Sequence, residues 1–201
     1  MISKEDDLLY GLVLAGGKSV RMGVDKGAIT WHGKEQRYYM ADLLQDICSD
    51  VFISCRAEQQ HEIDVKYKAL PDTFTGMGPY GAILTALDAH PGKAWLITAC
   101  DLPLLDRGTL QFLVQNRDIS AIATTFESPF DGLPEPLITI WESSALPVLH
   151  AYLSEGLTCP RKVLIRNKEQ VKILTPPHPD ALLNANTEAD AEKVREFLHQ
   201  K

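Results

Sequence analysis

Short apolar runs alternate with amphipathic segments along this chain, and the alternation predicts strands that are flanked by helices. The predicted strands cover residues 8–14, 51–54, 94–98, 121–124 and 137–141. The predicted helices cover residues 37–47, 81–89, 109–116, 143–153 and 188–198. This order is typical of an α/β fold with a mostly parallel central sheet.

The size and charge of the chain limit the classes of protein to which it can belong. A length of 201 residues with 45% hydrophobic content suits one domain over residues 1–201. The net charge of −7 argues against a general nucleic-acid binder, so a polyanionic substrate must meet a local basic pocket. No apolar run reaches membrane-spanning length, and the acidic start MISKEDD lacks a signal-peptide core, so we expect a cytoplasmic protein. The four cysteines form no C-x-x-C pair and are expected to be reduced thiols.

The most informative segment is residues 8–26, LLYGLVLAGGKSVRMGVDK, in which a strand enters a glycine-rich basic loop. Glycines let backbone N–H groups approach an anion closely, and basic side chains add charge to such a site. The loop contributes Gly16, Gly17, Gly23, Lys18, Arg21 and Lys26. Its spacing is neither G-x-G-x-x-G nor a P-loop. The alternative, a plain glycine turn with solvated charges, explains fewer of these residues.

The string L-A-G-G-x-S-x-R-M-G-x-D-K resembles the signature loop of nucleotidyltransferases that build nucleotide forms of the molybdenum cofactor, above all its guanylyltransferases. The resemblance implies a three-layer α/β/α Rossmann-like fold. It also implies that the loop wraps a nucleoside triphosphate, with Arg21 and Lys26 beside the phosphates as catalytic residues. The nucleotide-binding residues that it implies within this segment are Leu14, Ala15, Gly16, Gly17, Gly23 and Lys26.

A second informative segment is WLITACDLPLL, in which Asp101 follows an apolar strand. Ligands of open α/β sheets bind beyond the carboxyl ends of the strands, and Mg²⁺ takes one or two protein carboxylates together with substrate phosphates. Asp101 is therefore our candidate metal ligand. Taken alone, it could equally cap the next turn. The turn matches the family's magnesium-binding D-x-P motif, which favours the catalytic and nucleotide-binding role.

Two further nucleotide contacts follow from the resemblance. Asp72 precedes a glycine-rich segment, TGMGPYGAI, and aligns with the family's ribose or base contact. The family more commonly has G-P-L-x-G-I, so the second glycine, Gly81, comes one residue early here. Ser54, or the neighbouring Arg56, stands where guanylyltransferases often carry an asparagine that reads guanine.

Three residues are expected to serve the second substrate: Arg161, Asn184 and Asn186. Arg161 opens a basic helix start, CPRKVLIR, that could meet a second phosphate. Asn184 and Asn186 resemble the family's N-x-N-T-P-E turn, although Asn186 or Thr187 could simply cap the last helix. Glu135 stands where the family usually has a neutral residue, either tuning acceptor choice or lying idle at the surface.

The resemblance implies transfer of GMP from GTP to molybdopterin, dependent on Mg²⁺, with release of pyrophosphate. Implied partners are other cofactor-biosynthesis proteins or apo-molybdoenzymes. The alternatives are a cytidylyltransferase acting on the same cofactor, a sugar-phosphate nucleotidyltransferase, and a carrier that binds nucleotide and cofactor without catalysis. The L-A-G-G string favours GTP, because cytidylyl enzymes favour L-A-A-G.

Overall fold

A computed structural model describes residues 8–15 and 26–199. The strands are β1 (Leu9–Leu14), β2 (Asp50–Cys55), β3 (Lys68–Pro71), β4 (Ala94–Ala99), β5 (Ala123–Glu127), β6 (Pro134–Trp141) and β7 (Val171–Leu174). The α-helices are α1 (Gln36–Gln45), α2 (Pro79–Ala89), α3 (Arg107–Gln115), α4 (Ala145–Ser154), α5 (Pro160–Arg166) and α6 (Glu188–His199). A short 3₁₀ turn, Lys26–Ala28, precedes α1.

The described strands form one sheet in the order β3-β2-β1-β4-β6-β5-β7. β6 runs antiparallel to both of its neighbours, β4 and β5, and the other pairings are parallel. The predicted α/β class and mostly parallel sheet are confirmed. Because β2 and β4 flank β1 on opposite sides, the strand order reverses at β1, which is where open α/β sheets bind ligands.

Alternation along the strands places one apolar core on each face of the sheet. In β1, Val13 faces the core that α1 and α3 cover, whereas Leu12 faces the core that α2, α4 and α5 cover. The largest fully buried side chains, Trp95 and Trp141, lie in the second core. This gives the three layers that the family resemblance implies.

The sequence pattern missed three described elements. β3 and β7 are four residues long, and most of their residues are only partly buried, so neither carries a run long enough to be recognised. Helix α5 was anticipated only as a helix start around Arg161. The other predicted strands and helices are present, with ends that shift by a few residues.

The strands that carry predicted site residues end at the same level. Leu14 at the end of β1 is in register with Ser54 of β2 on one side and Ala99 of β4 on the other. Cys55 is in register with Pro71, so β3 ends beside β2 and delivers Asp72 to the same edge. Within the described part of the chain, no helix is long and apolar enough to span a bilayer.

Candidate functional site

The carboxyl edge of the sheet gathers four predicted residues: Leu14, Ser54, Asp72 and Asp101. Ala15 joins them, since its backbone N–H donates to the Ser54 carbonyl over 3.3 Å. The predicted residues Gly16, Gly17, Arg21 and Gly23, together with Lys18, lie outside the described residues. Lys26 is the first residue of the 3₁₀ turn, and only the backbone of this residue is described.

Two residues that are predicted to contact the nucleotide, Ser54 and Asp72, form a hydrogen bond with each other. The Ser54 hydroxyl donates a hydrogen bond to Oδ1 of Asp72 at 2.8 Å, and the Asp72 backbone N–H donates to the Cys55 carbonyl at 2.8 Å. Ser54 is only 2% exposed. The serine therefore fixes the orientation of the carboxylate and leaves its second oxygen, Oδ2, for a ligand.

The surroundings of Asp72 are electrostatically distinctive. Burial raises the pKa of the Asp72 carboxyl, and the hydrogen bond from Ser54 lowers it in part. Burial raises the pKa of the Cys55 thiol to about 11, with a further increase from Asp72 and a decrease from the Arg37 guanidinium. Arg37 is 6% exposed, so a buried cation lies within electrostatic reach of this edge.

The first turn of α1 was not singled out from the sequence, although its pattern carries a signal. Gln36, Met40 and Leu44 recur at helical spacing and are fully buried, so the helix turns a glutamine toward the core. Among the described residues, neither polar atom of the Gln36 amide has a hydrogen-bond partner. Arg37 beside it forms an ion pair with Glu35 at 2.9 Å. The first turn of α1 therefore carries a buried amide and a buried guanidinium.

The segment after Asp72 is tied to the start of α2. Oγ1 of Thr85 accepts from the Thr73 backbone N–H at 3.0 Å. Gly78 precedes α2 with φ +55° and ψ −140°, a conformation open essentially to glycine alone. At Gly81, a Cβ atom would lie 2.1 Å from the Phe74 carbonyl oxygen. The glycine that comes one residue early in the sequence is therefore required where it stands, because Phe74 packs directly on it.

Asp101 stands in a turn just beyond β4 and is half-buried. Its backbone carbonyl accepts a hydrogen bond from the Ala185 N–H at 2.8 Å. This bond joins the D-L-P turn to the N-A-N-T segment, so Asn184 and Asn186, both half-buried, flank an alanine that is anchored beside Asp101. The end of β1, the D-L-P turn and the asparagine turn thus share one edge.

The donor set suits a hard divalent cation. The described residues contain no group of three or more His, Cys, Asp or Glu side chains that would cage a metal. Mg²⁺ does not need such a cage, because it is usually held by one or two carboxylates and by substrate phosphates. Asp101 offers carboxylate oxygens at the edge where phosphates are expected, and the residues present therefore fit this ion.

Arg161 is held by two carboxylates. Its guanidinium donates to Asp131 at 2.7 Å and to Glu135 at 3.1 Å. Glu135 is 8% exposed, so the interpretation of this residue as an idle surface charge is wrong. A hydrogen bond from the Leu133 backbone and the Arg161 cation lower the pKa of Asp131. These two carboxylates hold the Arg161 side chain in place. An anionic substrate would have to compete with them for the guanidinium.

The capping alternative for the asparagine turn is confirmed for Thr187. Its hydroxyl accepts from the Asp190 N–H at 3.2 Å, and the Asp190 carboxylate accepts from the N–H groups of Asn186 and Thr187. This reciprocal arrangement is a capping box at the start of α6. It leaves the side chains of Asn184 and Asn186 as the candidates for a ligand.

Three comparisons with known proteins agree with this geometry. A family model described as the MobA-like NTP transferase domain matches residues 11–171. The chain is 36% identical over 183 residues to a molybdenum cofactor biosynthesis bifunctional protein of Synechocystis sp., covering 90% of this chain but only 52% of that protein. It is 32% identical to a probable molybdenum cofactor guanylyltransferase of Carboxydothermus hydrogenoformans, covering 94% of this chain and 96% of the relative.

A solved structure shares the fold. Molybdopterin-guanine dinucleotide biosynthesis protein A of Archaeoglobus fulgidus superimposes with a TM-score of 0.78 over 96% of this chain and 100% of that chain. The sequence identity is 20%, so this comparison speaks for the fold alone.

Proposed function

This chain belongs to the MobA-like NTP transferase family, and from that premise we propose that it transfers GMP from GTP to molybdopterin with release of pyrophosphate. The single observation that carries the proposal is the meeting of Ser54, Asp72 and Asp101 at one sheet edge beside the switch strand β1. The named relatives support the same reaction, since the Carboxydothermus protein aligns with this chain over nearly its full length. The chain spans about half the length of the bifunctional relative, 52% of it.

The nucleoside would bind where the Ser54–Asp72 pair lies. With Oδ1 of Asp72 occupied by the serine hydroxyl, Oδ2 remains to accept a hydrogen bond from a ribose hydroxyl or a base N–H group. The backbone at Leu14 and Ala15 would lie beside this pair, because Leu14 is in register with Ser54 and the Ala15 N–H donates to the Ser54 carbonyl. Guanine recognition here would rest on backbone groups and this carboxylate in place of the asparagine amide of the family.

The reacting phosphates would lie toward Asp101. When bound, Mg²⁺ would supply positive charge to the phosphates. Asp101 would hold that ion, and Arg21 and Lys26 of the glycine-rich loop would neutralise charge on the α-phosphate and on the leaving pyrophosphate. The attacking group, a phosphate oxygen of the acceptor, is already anionic, so no strong general base is needed. Alignment and charge compensation then account for catalysis.

The acceptor would approach from the β6 side of the sheet. Arg161 is a cation ready for its phosphate, and Asn184 and Asn186 offer amides to the pterin, whose ring edge presents both donors and acceptors. We also propose that the reaction takes place in the cytoplasm, where the buried thiols of Cys48 and Cys55 remain reduced. Other cofactor-biosynthesis proteins or apo-molybdoenzymes would receive the product.

Pyrophosphate release tests the proposal. The protein is incubated with Mg²⁺ and molybdopterin, and GTP, CTP, ATP and UTP are compared at equal concentration. We expect release with GTP above the other nucleotides and no release when molybdopterin is omitted. Faster release with CTP would overturn the base assignment. Binding of nucleotide and cofactor with no release from any nucleotide would favour the carrier.

A further inference from the structure

The turn that carries Asp101 is held at two backbone carbonyls. The Ala185 N–H donates to the Asp101 carbonyl at 2.8 Å, and Nε2 of His32 lies 2.8 Å from the Pro103 carbonyl oxygen. Because a carbonyl oxygen only accepts, Nε2 must carry the proton and donate it. His32 comes six residues after Lys26 in the sequence. It therefore connects the exit of the glycine-rich loop with the D-L-P turn.

The His32 ring is itself fixed in place. It stacks on Tyr39 of α1, with ring centroids 3.8 Å apart and an interplanar angle of 14°. The preceding residue, Trp31, packs against the small core cluster that contains Leu104 and Ala185. Stacking sets the plane of the imidazole and aims Nε2, so the hydrogen bond to Pro103 is a directed contact between the segment that precedes α1 and the turn.

We propose that His32 is a positioning residue for Asp101 and, through it, for the divalent cation. This proposal rests on the metal-binding role given to Asp101 under the proposed function. Pro103 lies two residues beyond Asp101, and its fixed φ transmits a displacement of its carbonyl to the preceding backbone. Outer contacts that orient a metal ligand are typically worth tenfold or more in metal affinity. His32 supplies such a contact two residues beyond the ligand, at the Pro103 carbonyl of the same turn.

Two substitutions separate the donor from the stacking surface. His32→Phe keeps an aromatic ring against Tyr39 and removes the N–H donor. His32→Gln keeps an amide donor and removes the ring. The matched control is His150→Phe, because His150 is an exposed histidine of α4 whose Nε2 contacts Asp88 of α2 rather than the Asp101 turn. Mn²⁺ is the probe, and its binding is followed by electron paramagnetic resonance in the presence of GTP without acceptor.

We expect His32→Phe to weaken Mn²⁺ binding about tenfold, and His32→Gln to stay close to wild type. The His150→Phe control should bind Mn²⁺ like wild type. In an Asp101→Asn background, His32→Phe should cause no further loss, because the residue through which it acts has been changed. Unchanged Mn²⁺ binding in His32→Phe would overturn the proposal. An equal loss in the Asp101→Asn background would also overturn it, since His32 would then act independently of Asp101.

The outcome is separable from that of the proposed function, because Mn²⁺ binding needs no molybdopterin. If no pyrophosphate is released with any nucleotide, yet His32→Phe weakens Mn²⁺ binding only when Asp101 is present, the reaction is wrong and the positioning role stands. If His32→Phe does not fold, His32→Ala, which also lacks the donor, takes its place. It should lose about tenfold in Mn²⁺ affinity, and unchanged binding would overturn the proposal.

Discussion

Replacement of Gly81 by alanine should damage both the stability of the protein and its nucleotide site. An added Cβ would lie 2.1 Å from the carbonyl oxygen of Phe74 and 3.3 Å from Cβ of Met77. The oxygen belongs to the backbone, so no side-chain rotation relieves the contact. The segment from Asp72 to Gly78 must shift instead, and it is tied to α2 through Thr85.

The expected change in the free energy of unfolding is the difference between two opposing effects. Alanine in place of glycine within a helix normally stabilises by about 1 kcal/mol. Overpacking against a fixed neighbour costs up to about 3 kcal/mol. The net loss in the free energy of unfolding is then about 2 kcal/mol, and for a chain of this size it lowers Tm by roughly 4–8 °C.

Thermal unfolding followed by circular dichroism measures this loss, and the KM for GTP should rise because Asp72 lies at the start of the displaced segment. Gly108→Ala is the matched control. Gly108 also lies in the first turn of a helix, but its added Cβ would lie 3.4 Å from Oδ1 of Asp106, an ordinary contact. Its Tm should equal or exceed that of wild type. A Gly81→Ala protein with an undiminished Tm would refute the packing argument.

Three other predictions test the site. Asp101→Ala should lower the rate of pyrophosphate release by about 10²-fold, and a near-wild-type rate would contradict its role. Burial raises the pKa of Asp72 above its usual 3.8, so the folded state binds the proton more tightly than the unfolded state does. The wild type should therefore lose stability relative to Asp72→Asn, which keeps the oxygen that Ser54 contacts, as pH rises from 4 to 7; a Tm difference between the two proteins that stays constant, or that shifts in favour of the wild type, would contradict this. Glu135→Gln removes one of two carboxylates from Arg161 and should lower the KM for molybdopterin while the KM for GTP stays constant; steady-state kinetics in both substrates checks it.

The sequence was most informative where chemistry and local pattern coincide. The position of Asp101 at the carboxyl edge could be predicted because the strand before it is buried and almost wholly apolar, whereas its metal-binding role follows from the family resemblance and stays a prediction. The Ser54–Asp72 hydrogen bond could not be predicted, since it depends on the register of β2 and β3, and β3 is too short to be recognised. The pairing of Arg161 with Glu135 likewise depends on how α5 meets β6.

Gly81 and Gln36 illustrate a second limit. The displaced glycine looked like a departure from the family pattern, whereas the close approach of the Phe74 carbonyl accounts for it. Gln36 lies just before the predicted helix, and its burial became evident only when the buried face of α1 was known. In both cases the missing information was the packing around the residue, which hydrophobic periodicity does not contain.

The hydrogen bond between the Asp101 carbonyl and the Ala185 N–H also implies an order in which the parts of the site form during synthesis. Ser54, Asp72 and Asp101 are synthesised well before Ala185, and long-range contacts form only when both partners are available. A nascent chain can therefore form the Ser54–Asp72 hydrogen bond while the Asp101 turn still lacks the hydrogen bond from Ala185. We expect nucleotide binding to arise early in biosynthesis and turnover to arise last, so that an unfinished chain does not consume GTP.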